Sequence, residues 1–304
     1  MKWFNRFAQT LLLALLLILV VGFFRPSFET GVPQDQFWIQ KIQWRNNADI
    51  VLGGDSRIYR NLSPERMKKT LKNRCIKNFG FSVARFTPEY LNAIEKVLIS
   101  ESPHPVIVLG ISPLSITSGV NISSGFREAR AKSSWDRWLI GNFGTILDFI
   151  KPITQEELAP YISQYTIKKY YRHYYEDGWV ASSLKPINPE LKLDHYRGLF
   201  KENKVSLKLV QNLLKTLARW IQLGIDVYGF RPPTTAKMVQ LENDTSGFQE
   251  SEFISQFESA GGFWINVEPE GWISYDGSHL DEVDALKLSE LIASEIEKRE
   301  RSKR

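Results

Sequence analysis

A serine attacks a carbonyl only when a neighbouring base accepts its proton, so the four histidines of this chain bound the chemistry open to it. Ser56 stands in Gly54-Asp55-Ser56, directly after a short apolar run, where a nucleophile is exposed at the carboxyl end of a strand. His104 precedes an apolar run and falls at the opposite, amino end of a strand. His173 and His195 belong to an aromatic-rich middle region and read as surface or interface residues. His279 differs. It closes Tyr275-Asp276-Gly277-Ser278-His279, a loop between the last apolar run and the last helical segment. Asp276, three residues ahead, can orient the imidazole through one ring nitrogen while the other faces a serine. The implied chemistry is acyl transfer through a Ser-His-Asp triad. The blander alternative is that Asp276 and Asp281 cap the final helix, with Ser56 in a plain turn and His279 incidental.

These residues need a sheet to bring them together. "ADIVLGG" (48–54), "CIKNFGF" (75–81), "HPVIVLGIS" (104–112), "IDVYGF" (225–230) and "GFWINV" (262–267) are short, nearly continuous apolar runs. Helical patterns separate them, opened by Ser63-Pro64 and Thr87-Pro88, where a capping hydroxyl precedes proline at the first helical position. Uninterrupted apolar strands alternating with helices predict a parallel sheet covered on both faces. The fold class expected is α/β, a flavodoxin-like three-layer sandwich of about five parallel strands, with its site outside the carboxyl ends. An insertion at about 116–205, carrying "KKYYRHYYEDGW", Trp135 and Trp138, is expected to hold two or three helices between the third and fourth strands.

Residues 7–24, "FAQTLLLALLLILVVGFF", carry no charge, and at helical rise they span about 27 Å, close to a bilayer core. The run ends in Val21-Gly22-Phe23-Phe24-Arg25-Pro26, a poor signal-peptidase site, which favours an uncleaved anchor over a signal peptide. Lys2 and Arg6 precede it, whereas Glu29 and Asp35 offset Arg25 beyond it. The positive-inside bias therefore puts the N-terminus in the cytoplasm and the rest outside the cytoplasmic membrane. The expected division is an anchor over 1–28, a juxtamembrane linker over 29–47 containing Phe28 at its edge, Phe37, Trp38 and Trp44, an α/β domain over 48–298, and a charged, frayed tail over 299–304.

The 304 residues carry a net charge of +5 and 43% apolar side chains, the profile of a folded protein. No basic stripe with interleaved aromatics is present, so a nucleic-acid partner is not expected. One cysteine, Cys75, excludes an internal disulfide and a cysteine-based metal site. No P-loop, dinucleotide fingerprint or metal-ligand cluster appears, and no cofactor or metal is expected. The N-x-S/T strings at Asn61, Asn121 and Asn243 matter only in a eukaryotic secretory pathway.

Gly54-Asp55-Ser56 after the first domain strand and Asp276-x-x-His279 before the last helix resemble the SGNH (GDSL-like) hydrolase superfamily. Asn78-Phe79-Gly80 is similar to that family's second block, and the resemblance covers about residues 48–298. It implies Ser56 as nucleophile, His279 as base, Asp276 as orienting acid, and an oxyanion hole from the Ser56 and Gly80 amides. The family's third block usually supplies an asparagine after the third strand, where this chain reads Gly110-Ile111-Ser112-Pro113. Either Ser112 or Asn78 substitutes there, or activity is weak or absent, since one lost donor is worth roughly 10²-fold in rate.

The anchor, the SGNH-like domain and the insertion together resemble the envelope acyl-transfer proteins of alginate O-acetylation and teichoic-acid D-alanylation. These work beside membrane-bound O-acyltransferases, which are the implied partner class, with an acylated glycan as substrate. "YGFRPPTT" (228–235) is similar to a strand-to-loop segment of that group and places Arg231 at the active edge. Arg57 and Arg60 replace the usual apolar continuation after the serine, and with Arg231 they are expected to form a cationic rim for an anionic substrate. The alternative from another class is a non-catalytic envelope protein that scaffolds polysaccharide assembly.

Overall fold

The computed structural model describes residues 2–24, 29–119, 122–152, 154–155 and 169–303. Arg25, Phe28, Asn121 and residues 156–168 of the expected insertion lie outside the described residues. The strands are β1 (Glu29–Gly31), β2 (Ile50–Gly54), β3 (Ile76–Asn78), β4 (Val106–Gly110), β5 (Lys169–Tyr174), β6 (Val180–Lys185), β7 (Asp226–Phe230) and β8 (Phe263–Trp264). The helices are α1 (Lys2–Phe23), α2 (Gln34–Gln43), α3 (Ser56–Asn61), α4 (Pro64–Lys68), α5 (Pro88–Val97), α6 (Gly125–Ala131), α7 (Ser134–Ile150), α8 (Leu193–Glu202), α9 (Leu207–Gln222), α10 (Ala236–Ser246), α11 (Glu250–Ser259) and α12 (Glu282–Ser302).

The five apolar runs form one sheet in the order β3-β2-β4-β7-β8, every neighbouring pair parallel. Successive side chains of each strand serve opposite faces. Val51, Ile107, Leu109 and Val227 enter one core with α2, α5, α9 and α11. Ile50, Leu52, Val106, Val108 and Tyr228 enter the other with α3, α4 and α12. Helices therefore cover both faces, as fully buried parallel strands require. Thr87 caps α5 through Tyr90 N, and Ser63 caps α4 through Arg66 N, with Pro88 and Pro64 at the first helical positions.

Three segments differ from the sequence-based expectation. Residues 29–47 are not a linker: β1 joins a second sheet in the order β1-β5-β6, and α2 buries Phe37, Ile39, Lys41 and Ile42. The tyrosine-rich stretch of the insertion is the β5–β6 antiparallel hairpin, accompanied by α6, α7 and α8, so the insertion mixes sheet with helix. Residues 299–302 are not frayed, because α12 runs to Ser302. Arg299 lies 4.4 Å from the Phe263 ring centroid, and Lys303 pairs with Asp226 at 2.6 Å.

α1 is the one helix among the described residues that is long and apolar enough to cross a membrane, Trp3–Phe23 with a mean hydropathy of 2.2 and no part buried in the protein.

Candidate active site

β2 ends at Gly54, whose φ of +150° belongs to a region L side chains rarely adopt. A Cβ there would stand 2.5 Å from Ile58 Cγ1 and 2.9 Å from the Gly110 carbonyl oxygen. The missing side chain lets the chain turn tightly off the strand. Asp55 then caps α3, accepting the Arg57 amide at 2.9 Å, while Ser112 Oγ donates to its other oxygen. Ser56 follows as the first helical residue, half-buried, with its hydroxyl at the carboxyl edge of the sheet.

The loop after β8 brings the base to it. His279 Nε2 lies 2.9 Å from Ser56 Oγ, and His279 Nδ1 lies 2.8 Å from Asp276 Oδ2. Asp276 Oδ1 accepts the Ser278 and His279 amides, each at 2.9 Å. An anionic Asp276 requires the ring proton on Nδ1, which leaves the Nε2 lone pair for the serine hydroxyl. Ser274 Oγ donates to the His279 carbonyl at 2.7 Å, and Asn61 Oδ1 accepts the Leu280 amide at 3.2 Å, fastening the loop to the end of α3.

The electrostatics favour a neutral imidazole. Burial is the largest influence on His279 and pushes its pKa down to about 4; Asp276 works against this, and the charge of Arg60 adds to it. Burial opposes the Asp276 charge, but His279 and the Ser278 and His279 amides together hold its carboxyl well below the usual range. A half-exposed serine hydroxyl, a neutral base and an ionised orienting acid can carry out nucleophilic acyl chemistry.

Three of the four expected oxyanion donors, all but the Ser56 amide, are arranged otherwise. The Gly80 amide donates to Asn78 Oδ1 at 3.0 Å. Asn78 Nδ2 donates to the Ile58 and Leu62 carbonyls, both at 2.8 Å, so its amide group braces the end of α3. Ser112 is fully buried on Asp55 and also caps the following turn through Ser115 N. None of these three groups points a vacant donor at Ser56. Immediately downstream, Val83 holds φ at +49°, a strained conformation for a β-branched residue. Phe81 N donates to the Gly54 carbonyl at 3.1 Å, which lays the start of this strained turn along the Ser56 strand end.

The cationic rim is likewise not what the arginines build. Arg57 is fully buried, paired with Glu242 at 2.6 Å, and its Nε donates to Ser278 Oγ at 3.2 Å. It ties α3 to the histidine loop. Arg231 pairs with Glu242 at 2.9 Å and with Glu250. Arg60 reaches the same loop from its other end: it donates to Tyr275 Oη at 2.7 Å and packs over the Tyr59 and Tyr170 rings. Each guanidinium is held by at least one partner within the protein, although the buried Arg57 Nη1 has none, and together they do not form an open cationic rim.

Two supporting groups escaped sequence reasoning. Lys41 of α2 is fully buried, with Nζ donating to the Gly80 carbonyl at 2.6 Å and the Gly178 carbonyl at 3.2 Å, amid the Phe37, Trp38, Tyr59 and Phe81 rings. Burial lowers its pKa well below the ordinary lysine value. Tyr275 stacks on the His279 ring at 5.9 Å and shares its hydroxyl with Ser182 at 2.8 Å. No motif announces either; a lysine within the apolar "FWIQKIQ" (37–43) was the single available hint.

Among the described residues no cluster of three or more His, Cys, Asp or Glu side chains suits a metal ion. Comparison with models of known protein families, with curated proteins and with solved structures finds no match to this chain.

Proposed function

We propose that this chain is a single-pass, membrane-anchored serine esterase or O-acyltransferase of the SGNH type, acting on an acylated glycan of the cell envelope. The observation that carries the reading is the continuous relay Ser56 Oγ–His279 Nε2 at 2.9 Å and His279 Nδ1–Asp276 Oδ2 at 2.8 Å, which joins Ser56 to a loop more than 200 positions downstream. The sheet order supports the fold half of the proposal: numbered within the sheet it reads second, first, third, fourth, fifth, which is the flavodoxin-like order. The site then lies where doubly wound sheets place theirs, outside the carboxyl ends of the strands.

In this reading Ser56 attacks an ester carbonyl, His279 takes the hydroxyl proton and returns it to the leaving alcohol, and Asp276 stabilises the imidazolium. Water or a sugar hydroxyl then takes the acyl group from Ser56. With α1 as an uncleaved anchor and the positive-inside bias, the domain faces outward, beside a membrane-bound O-acyltransferase that supplies or receives the acyl group.

The test is labelling of the full chain by a fluorophosphonate probe and release of p-nitrophenol from its acetate ester. Both are expected to disappear in Ser56→Ala and His279→Ala. A wild-type chain that neither labels nor turns over, alone or with a membrane O-acyltransferase, would refute the catalytic reading. One observation favours the non-catalytic alternative, a polysaccharide-assembly scaffold: the Gly80 amide and the Ser112 hydroxyl are both occupied by protein acceptors.

A further inference from the structure

α7 presents two chemically distinct faces. Towards α2 it is mostly small and polar, with Ile140 packed on the core beside it: Gln36 Nε2 donates to the Gly141 carbonyl at 3.0 Å, Thr145 Oγ1 donates to Gln36 Oε1 at 3.3 Å, and a Cβ on Gly144 would meet Gln36 at 2.6 Å. On the opposite side Trp135, Trp138, Leu139, Ile146, Phe149 and Ile150 recur at helical spacing, interrupted only by Asn142. This stripe is not folded into a core: Trp135 is 65% exposed and Ile146 59%. The first two rings stack on each other at 5.0 Å. A stripe of this width normally faces a core, and an isolated surface helix has no reason to keep it.

The stripe is continuous with the candidate membrane span. Phe149 packs edge-on against Phe23, the last residue of α1, at 5.7 Å, and the same ring fills the space beside Gly22. The C-terminal end of α7 therefore lies against the end of α1, and two tryptophans mark its N-terminal end. Apolar residues backed by Trp are the composition of a helix lying in the interface plane of a bilayer. Arg130, Lys132 and Arg137 lie just before or within its first turns, suited to anionic headgroups.

We infer that α7 lies flat in the bilayer interface, its Trp135–Ile150 stripe inserted at the headgroup–acyl boundary, and forms a second membrane contact beside α1. The inference rests on the reading of α1 as an anchor. A lipid surface is the occupant because the stripe adjoins α1 itself, the element no part of which is buried in protein. The contact has a structural consequence, since α7 is packed on α2, and α2 carries the Lys41 that holds the Gly80 carbonyl beside the Ser56 turn.

The full chain, in a Cys75→Ser background, is reconstituted in phosphatidylcholine–phosphatidylglycerol vesicles with a nitroxide at one of Ile146→Cys, Ile150→Cys, Leu15→Cys or Lys237→Cys. Relaxation by oxygen is compared with relaxation by a water-soluble nickel chelate. The expected result is preferential oxygen access at 146 and 150, a stronger preference at 15, and chelate access at 237. Labels at 146 and 150 that behave like 237 while 15 stays in lipid overturn the inference and leave the anchor standing. Labels at 146 and 150 shielded from both agents mean that protein, a second copy, covers the stripe, which also overturns it. Chelate access at 15 removes the anchor, and the inference with it.

Discussion

Arg57 Nε donates to Ser278 Oγ at 3.2 Å, joining the helix that begins with Ser56 to the loop that ends with His279. Tyr196 Oη meets the same Ser278 hydroxyl at 2.8 Å, so α8 of the insertion braces the loop as well. Ser56 and His279 are held by separate elements, and their 2.9 Å approach depends on ties of this kind.

Removing the Arg57 charge is expected to damage both stability and reactivity. Arg57→Met leaves the buried Glu242 carboxylate with Arg231 as its remaining partner, and breaking a buried pair costs about 3–5 kcal/mol. Urea unfolding should show that loss. Arg57→Met combined with Glu242→Leu should lose less than the sum of the two single changes, because no buried carboxylate is left short of a partner.

Asp276→Asn keeps the shape of the loop but destroys its tautomer control. The amide can donate to Nδ1, which moves the ring proton to Nε2, the nitrogen that must accept from Ser56. Fluorophosphonate labelling is expected to slow by about 10³–10⁴-fold with circular dichroism unchanged.

The pH dependence of labelling should follow the buried imidazole. The base acts only when neutral, so the acid limb is expected near pH 4, well below the 6.5 of an ordinary histidine. Arg60 contributes to that depression. Arg60→Gln should therefore move the limb upward in pH, and an unmoved limb would show that Arg60 does not set the base.

The same group links stability to pH. The folded pKa is depressed, so between pH 6.5 and about 4 the unfolded chain binds a proton that the folded chain does not. Stability is complete above 6.5 and falls as pH falls through this window, by about 3 kcal/mol at roughly 1.4 kcal/mol per unit. His279→Gln should flatten thermal stability across that interval, leaving the loss from Asp276 and other carboxylates at lower pH.

Gly80→Ala tests the packing behind Ser56. Its Cβ would stand 2.8 Å from Tyr59 N and 3.1 Å from the Asp55 carbonyl, both backbone atoms of the Ser56 turn. Backbone cannot swing aside as a flexible side chain does. The variant is expected to lose about 1–3 kcal/mol of stability and to label more slowly.

The apolar runs, the helix starts at Ser63-Pro64 and Thr87-Pro88, and the span of α1 were legible in the sequence because each is written in local composition and period. Ser56, His279 and Asp276 were legible for a related reason. A parallel sheet brings all its carboxyl ends to one edge, so strand placement alone puts a residue after β2 near a loop after β8. β1, α2 and the β5–β6 hairpin were not legible, since the tyrosines and basic residues of 169–174 do not alternate apolar with polar. Their pairing is decided by contact with Phe37 and Tyr59 across the second sheet.

The charges show most clearly where sequence stops. Arg57 and Arg231 read as free cations because nothing near them in the chain is acidic enough to claim both. Glu242, 185 residues from Arg57, takes both guanidinium groups, and only folding brings it there. Gly80 and Asn78 likewise had a composition suited to an oxyanion hole, yet the bond between them is a matter of side-chain direction. Residue types and order determined which chemistry this chain can attempt. The tertiary structure decided which charges and amides remain available for it, because a buried polar group must find a partner and the nearest one in space need not be near in sequence.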